Sequence, residues 1–176
     1  MLDHVAYEYV MLNAAAVEMT KPHLPPVNHL VQVAFLVHAR CILDFFLLGI
    51  DGPRKDDITI RDFCIEKVET PGVEEKAKRL RKAIDKTVAH LTKSRKVDGN
   101  NPEIAPFRGP QHLHGTVTFV HEHWEKFLSA LAPQLRECVG HRVNELAGEM
   151  NVNIRDVAAK LERAASHPDW TKNTLP

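Results

Sequence analysis

The segment from Val27 to Gly49, VNHLVQVAFLVHARCILDFFLLG, decides the fold class of this chain. Its apolar residues cover nearly the whole circumference of an α-helix, a pattern typical of a helix that is surrounded by other helices. The segment is long enough to cross a membrane, but it contains Arg40 and Asp44, and a charge near the centre of a bilayer costs roughly 2.5–3.5 kcal/mol. The sequence therefore predicts a buried helix from about Val27 to Leu48 that ends at Gly49, and no membrane partner.

On both sides of this segment, proline and glycine separate further stretches in which apolar residues repeat at helical spacing. No alternating run of β-branched residues is long enough to form a sheet. The predicted fold is all-α, a single bundle of five to six mostly antiparallel helices over residues 1–165 with a polar tail over residues 166–176. The other helices are predicted at about Leu2–Met19, Val73–Arg95, His112–Leu131, Pro133–Met150 and Ile154–Leu161, with a short one near Ile58–Glu66.

The composition is that of an ordinary globular protein. Hydrophobic residues make up 44% and charged residues 26%, which excludes a disordered chain, a collagen and a coiled-coil rod. Aromatic residues, at 6%, are too few for the stacking platforms of many proteins that bind single-stranded nucleic acid. The cysteines Cys41, Cys64 and Cys138 are widely spaced and odd in number, and the N-terminal residues do not resemble a signal peptide. We therefore expect a cytoplasmic protein.

The formal net charge of zero hides an uneven distribution. Residues 76–96 hold nine basic side chains and one acidic side chain, a net charge of +8, whereas residues 1–75 have −6 and residues 97–176 have −2. Two interpretations are open: the acidic N-terminal part packs against this helix, or the helix binds an anionic partner, either RNA or an acidic protein. The candidate phosphate-binding residues are Lys78, Arg79, Arg81, Lys82, Lys86 and Lys93.

Three polar side chains lie inside the central predicted helix, and each needs a partner because an unpaired buried charge is costly. Arg40 and Asp44 are one turn apart, so they are predicted to form an ion pair within the helix. His38 lies on another flank, where a backbone or carboxylate acceptor would satisfy it. The alternative is that the three residues line a small-molecule or metal pocket inside the bundle.

Four histidines, His112, His114, His121 and His123, cluster in the string QHLHGTVTFVHEH. His114 and His121 share a flank but stand seven residues apart, about 10 Å along a helix axis. No pair has the i, i+4 spacing with which two ligands on one helix hold one ion, so zinc would need ligands from other helices. We expect solvated or boundary histidines, with no metal and no cofactor. The sequence also contains no glycine-rich phosphate loop and no HExxH, CxxC or GxSxG motif.

Two strings, HARCILDFF (His38 to Phe46) and DKTVAHLTKSR (Asp85 to Arg95), resemble a group of small all-α bacterial proteins and, more loosely, the HEPN class of helical domains. The resemblance covers about the first hundred residues. It implies a metal-independent ribonuclease that acts as a homodimer, in which an arginine and a histidine separated by four to six residues meet across the interface.

Three arginine–histidine pairs bear on this motif. Arg136 and His141 have the expected spacing, and so do Arg108 and His114 across a Gly-Pro loop, whereas eight residues separate Arg81 from His90.

As a ribonuclease, the protein needs a base to take a 2′-hydroxyl proton and a cation to stabilise the phosphorane. His90 is the candidate base and Arg95 the candidate cation, and His38, Arg40 and Asp44 complete or orient the site. A second interpretation gives neither residue a catalytic role: His90 would be a boundary residue, and Arg95 would be a cation that interacts with the helix dipole. The leading hypothesis is a binding module whose helix 76–96 meets an anionic partner, with the ribonuclease and the internal pocket as alternatives.

Overall fold

The computed structural model describes residues 1–51, 59–63, 73–88 and 110–166, and in this part of the chain it confirms an all-α helical bundle. A short 3₁₀ turn, Ile60–Asp62, lies between the second and third helices. The six α-helices are α1 (Leu2–Glu18), α2 (Pro25–Asp51), α3 (Val73–Val88), α4 (Pro110–Ala130), α5 (Pro133–Glu149) and α6 (Ile154–Ala165).

Helices α1 and α2 form an antiparallel hairpin at the centre of the bundle. Helix α1 packs against α2, α4, α5 and α6, and its small buried residues Ala6, Ala15 and Ala16 let these neighbours approach closely. Helix α2 packs mainly against α1, α3, α4 and the 3₁₀ turn. The prediction that α2 is covered on all sides is wrong for its N-terminal half, because Leu30 and Val33 there are exposed.

Stacked and edge-on aromatic rings fill the space between α1, α2 and α4. Tyr9 and Trp124 stack with a distance of 4.0 Å between ring centroids, and Phe127 packs against both Trp124 and Phe45. All four rings are at most 5% exposed. Burial of one such ring contributes about 4–6 kcal/mol before conformational entropy is subtracted, so this cluster is the main apolar contribution to the packing of the hairpin on α4.

The turn between α5 and α6 depends on one residue with left-handed backbone geometry. Asn151 has a φ of 50°, its N–H donates to the Gly148 carbonyl, and the N–H of Val152 donates to the Ala147 carbonyl. This pair of bonds is a Schellman motif, which satisfies the last carbonyls of α5. Asn153 is the N-cap residue of α6, and its side-chain amide donates to the Asp156 carboxylate at 2.8 Å.

Some predicted helix ends differ from those observed. Helix α2 continues to Asp51, past its predicted end at Gly49. In place of the predicted helix near Ile58–Glu66, the described residues 59–63 contain only the 3₁₀ turn, which Thr59 and Asp62 cap through a capping box. The predicted continuation of α3 to Arg95 and the tail over residues 167–176 lie outside the described residues.

One of the described helices, α2, is long and apolar enough to cross a membrane, over Leu30–Leu47. A core helix of a soluble bundle has the same length and composition, and 44% of this window is buried inside the protein.

Candidate functional site

Two arginines and two aspartates form a charge ladder between α2 and α3. The Nε of Arg40 on α2 lies 3.1 Å from the Oδ1 of Asp85 on α3, and the Nε of Arg81 on α3 contacts the Oδ1 of Asp44 on α2. The predicted pair within α2, Arg40 with Asp44, is also present at 3.7 Å. Because the residue order along α3 is the reverse of that along α2, these contacts fix an antiparallel register between the two helices.

The charge ladder is half-buried, with its carboxylates beneath its guanidinium groups. The side chains of Asp44 and Asp85 are 22% and 26% exposed, against 39% for Arg40 and 35% for Arg81. Burial raises the pKa of Asp44, and the guanidinium groups of Arg81 and Arg40 oppose that rise. The guanidinium groups are therefore somewhat more exposed to solvent than the carboxylates with which they pair.

His38 binds to a different helix from the ladder. Its Nδ1 lies 2.7 Å from the Oε2 of Glu8 on α1, and its ring meets the edge of Tyr7 with 6.0 Å between centroids. Partial burial raises the pKa of the neighbouring Cys41 to about 11, and the carboxylate of Glu8 adds to the rise. The Cys41 thiol is therefore protonated at neutral pH and is not an activated nucleophile.

The predicted catalytic group is thus divided between two neighbours of α2. The structure brings Arg40 and Asp44 together with residues of α3, whereas His38 pairs with α1. His90 and Arg95 lie outside the described residues.

The side of α3 that faces away from α2 carries exposed cations. Ala77 and Ile84 are buried, whereas Lys76, Arg79 and Lys82 are exposed. This opposition of buried and basic faces is typical of an amphipathic helix at the surface of a bundle.

The predicted phosphate-binding residues occupy different environments on α3. Arg79 is 77% exposed and pairs with Glu75 at 3.0 Å, and Lys82 has no ion-pair partner among the described residues. Lys78 is half-buried, and Arg81 is held by Asp44. The side chain of Lys86 and the whole of Lys93 lie outside the described residues. Of the six predicted residues, Arg79 and Lys82 are thus the ones whose side chains the structure shows as exposed.

Lys76 was not among the predicted residues, and it adds a third cation to this face. Its Nζ lies 5.2 Å from the centroid of the Phe119 ring on α4, within range of a cation–π interaction. The contact brings the Lys76 side chain over a ring of α4, while Lys76 as a residue stays exposed.

Two histidines of the α4 cluster, the partly buried His121 and the buried His123, bind protein groups. The Nε2 of His121 lies 2.7 Å from the Oδ1 of Asn13 on α1, and burial lowers the pKa of His121 to about 4. The Nδ1 of His123 donates to the Phe119 carbonyl at 2.6 Å, and burial lowers its pKa as well. The expectation of a solvated or boundary residue is wrong for His123, which is 6% exposed. Both rings are therefore neutral at neutral pH.

The remaining candidates for a metal site or an Arg–His motif are dispersed. His114 is half-buried, and the side chain of His112 lies outside the described residues. In residues 1–51, 59–63, 73–88 and 110–166, no three His, Cys, Asp or Glu side chains group so as to hold a metal ion. Arg136 donates to the carbonyls of Ser129 and Leu131 at the end of α4, and His141 is exposed. Arg108 falls outside the described residues.

No protein family, no curated protein and no solved structure matches the chain. The resemblance to HEPN domains thus stays a prediction, and the geometry of the described residues is the basis for proposing a function.

Sequence reasoning missed the partners of several polar groups, although one signal was present. Glu8, Asn13 and Asp85 were not identified as the residues that bind His38, His121 and Arg40. The strings RCILD in α2 and RKAID in α3 share the spacing R-x-x-x-D. When two helices with this spacing pack antiparallel, the arginine of each lies opposite the aspartate of the other. The shared spacing therefore indicates the charge ladder.

Proposed function

We propose that this protein is a helical binding module whose helix α3 engages an anionic partner. The observation that carries the proposal is the exposed cationic face of α3, formed by Lys76, Arg79 and Lys82, which lies opposite the face that Ala77 and Ile84 bury against α2. Glu75 is the one acidic residue on this face among the described residues whose exposure is defined.

The acidic residues near α3 support the proposal by the way they are used. Asp44 of α2 and Asp85 of α3 pair with Arg81 and Arg40 between the two helices. These carboxylates therefore do not neutralise the cations on the outer face of α3. Exposed pairs such as Arg79 with Glu75 contribute little to stability and exchange readily for other partners. An external anion that replaces Glu75 therefore meets a small cost and is attracted by two or three cations.

Binding to the partner would rely on charge rather than on ring stacking. Among the described aromatic side chains, Tyr7 is 40% exposed. Six others are buried: Trp124, Phe35, Phe45, Phe46, Phe119 and Phe127. Binding that relies on ammonium and guanidinium groups is sensitive to salt and tolerant of sequence.

The test is the salt dependence of binding to two probes, a short labelled single-stranded RNA and a short labelled polyglutamate peptide. We expect at least one to bind at about 50 mM salt, with log affinity falling linearly as log salt rises. For single-stranded RNA, the double variant Arg79→Glu, Lys82→Glu should flatten the slope by about 1.4, about 0.7 for each phosphate that the variant no longer neutralises.

The matched control is Arg155→Glu. Arg155 is exposed in the first turn of α6, where a carboxylate suits the helix dipole and the fold is not weakened. This variant should leave the slope unchanged. Absence of binding to both probes at about 50 mM salt, or equal effects of the α3 and α6 variants, would contradict the proposal.

A further inference from the structure

Helix α3 is attached to the bundle mainly through one neighbour. It packs chiefly against α2, whereas α1 packs against α2, α4, α5 and α6, and α4 also packs against α6. The Nζ of Lys76, which lies 5.2 Å from the centroid of the Phe119 ring, adds a contact with α4. The contacts among α1, α2, α4, α5 and α6 therefore persist if α3 leaves its place on α2.

Helix α3 buries few apolar side chains. Among its residues 75–85, Ala77 and Ile84 are buried, and Leu80 is partly buried. Residues 5–16 of α1, a stretch of similar length, contain eight buried residues. Because the hydrophobic free energy is roughly proportional to the apolar area removed from water, burial stabilises the docking of α3 less than that of α1.

The charge ladder adds direction to this docking rather than much net stability. Its four side chains remain 22–39% exposed. Burial raises the pKa of Asp44, with a smaller contribution from the Asp85 carboxylate, although Arg81 and Arg40 lower it. Placing the Asp44 carboxylate in the interface thus costs more free energy than its cationic partners return. The ladder therefore selects the register of α3 on α2 without greatly stabilising the docked helix.

We infer that α3 undocks from α2 and unfolds as one unit, while α1, α2, α4, α5 and α6 remain folded. The ladder opens in the same step, because two of its pairs, Arg81–Asp44 and Arg40–Asp85, join the two helices. A helix of 16 residues is marginal in water without tertiary contacts, so the undocked segment also loses its helical structure. Elements with little buried apolar surface open at a lower free energy than the whole protein.

Undocking changes what α3 presents to solvent. Ala77 and Ile84 become accessible, and Lys76, Arg79 and Lys82 no longer share one face, since that alignment exists only in a helix. The docking equilibrium thus sets the fraction of molecules that carry the cationic face. A ligand that requires the aligned cations binds only this fraction. This last consequence rests on the proposed function, whereas the undocking itself does not.

The first test compares the accessibility of two buried alanines in the full chain. Ala77 of α3 is 1% exposed and Ala16 of α1 is 0% exposed. Each is replaced by cysteine in a chain whose Cys41, Cys64 and Cys138 are serine, and the rate of reaction with a thiol reagent is divided by the rate in concentrated urea. We expect the thiol of Ala77→Cys to be at least about a hundredfold less protected than that of Ala16→Cys.

Charge reversal within the ladder tests its part in the docking. Asp44→Lys places two cations against each other, so labelling at Ala77→Cys should become about tenfold faster or more, while labelling at Ala16→Cys changes by less than about twofold. Arg81→Glu should act in the same way, because it opposes two carboxylates. The double variant Asp44→Lys, Arg81→Glu restores an attractive pair and should label more slowly than either single variant.

Glu162→Lys is the matched control, since it makes the same change of charge as Asp44→Lys. Glu162 is exposed in the last turn of α6, where a cation suits the helix dipole. This variant should leave the labelling of both thiols unchanged.

Hydrogen exchange of the natural chain gives a second measurement that needs no substitution. The backbone amides of residues 80–84 in α3 are compared with those of residues 9–13 in α1, after correction for their intrinsic exchange rates. We expect the α3 amides to be at least about a hundredfold less protected than the α1 amides. Their opening free energy should also depend less on urea, because undocking exposes less surface than global unfolding does.

Three results would overturn the inference. Equal protection of α3 and α1, by thiol labelling and by hydrogen exchange, would mean that α3 opens only when the whole protein unfolds. If Asp44→Lys accelerates labelling equally at Ala77→Cys and Ala16→Cys, the ladder supports the whole bundle and not α3 alone. A double variant that labels faster than both single variants would mean that the Arg81–Asp44 pair does not hold α3. None of these measurements contains an anion, so failure of the RNA and polyglutamate probes overturns the proposed function alone.

Discussion

The Nε of Arg40 lies 3.1 Å from the Oδ1 of Asp85 on α3, whereas the Oδ2 of Asp44, one turn away on its own helix, is 3.7 Å distant. The closer partner of this arginine thus belongs to another helix. Together with the contact between Arg81 and Asp44, this pair sets the register of α3 on α2. It also directs the inward-facing charges of α3 to the interface and leaves Lys82 and Arg79 facing solvent.

The pair Arg81–Asp44 is expected to contribute measurably to stability. In a double-mutant cycle with alanine at both positions, urea unfolding should give a coupling energy of about 0.5–2 kcal/mol, because the pair is half-buried and desolvated. The same cycle on the exposed pair Arg79–Glu75 should give about 0.3–0.5 kcal/mol. Equal coupling energies for the two pairs would contradict a structural role for the ladder.

The free energy of unfolding should fall as the pH is lowered from 6.5 to about 4, between the unfolded-state and folded-state pKa values of His121. Its pKa is lowered from 6.5 to about 4 in the folded state, so between these values the unfolded chain binds a proton that the folded chain does not. Stability therefore rises with pH in this window and is fully present above pH 6.5. The difference of 2.5 units corresponds to up to about 3 kcal/mol at pH 4.

The variant His121→Gln isolates this effect from that of other titrating groups. A glutamine amide can still donate to the Oδ1 of Asn13 but does not titrate. Chemical unfolding at pH 7 and pH 4.5 should show a smaller loss of stability for the variant than for the natural chain. Parallel pH profiles for the two proteins would show that His121 is not buried in the neutral form.

The aromatic cluster between α1 and α4 should be among the costliest places to truncate. Trp124 is 2% exposed and stacks on Tyr9, so Trp124→Ala is expected to cost about 3–5 kcal/mol in unfolding free energy. Leu135→Ala, at a 37% exposed position, should change stability by no more than about 0.5 kcal/mol. A loss below about 1 kcal/mol for Trp124→Ala would place this ring outside the core.

Two substitutions at one position of the α5–α6 turn are expected to differ in their effect on stability. Asn151 has a φ of 50°, which glycine adopts without strain and a β-branched residue does not. Asn151→Gly should leave the melting temperature nearly unchanged, whereas Asn151→Val should destabilise the protein by about 1–2 kcal/mol. If both variants melt alike, the turn does not hold this backbone conformation.

The helices themselves were largely predictable because each has a local signal. Apolar residues repeat at helical spacing, and proline or glycine marks where one repeat gives way to the next, as does Pro133, the first residue of α5.

Contacts between helices were not predictable, since they depend on packing geometry rather than on local pattern. Nothing near His38 in the sequence indicates that Glu8, thirty residues away, is its partner. Likewise, an apolar row on a helix has the same sequence pattern whether a neighbour covers it or solvent does. This is why Leu30 and Val33 were predicted to be buried and are exposed.

Whether the outer face of α3 binds an anionic partner can be measured by mapping where a polyanion contacts the folded chain. Amide chemical shifts would be followed while the isotope-labelled protein is titrated with polyglutamate at about 50 mM salt. We expect the largest changes at Lys76, Arg79 and Lys82, reversed by added salt, with α5 and α6 unaffected. Changes centred on α5 or α6, or none on α3 at saturation, would mean that α3 is not the binding surface.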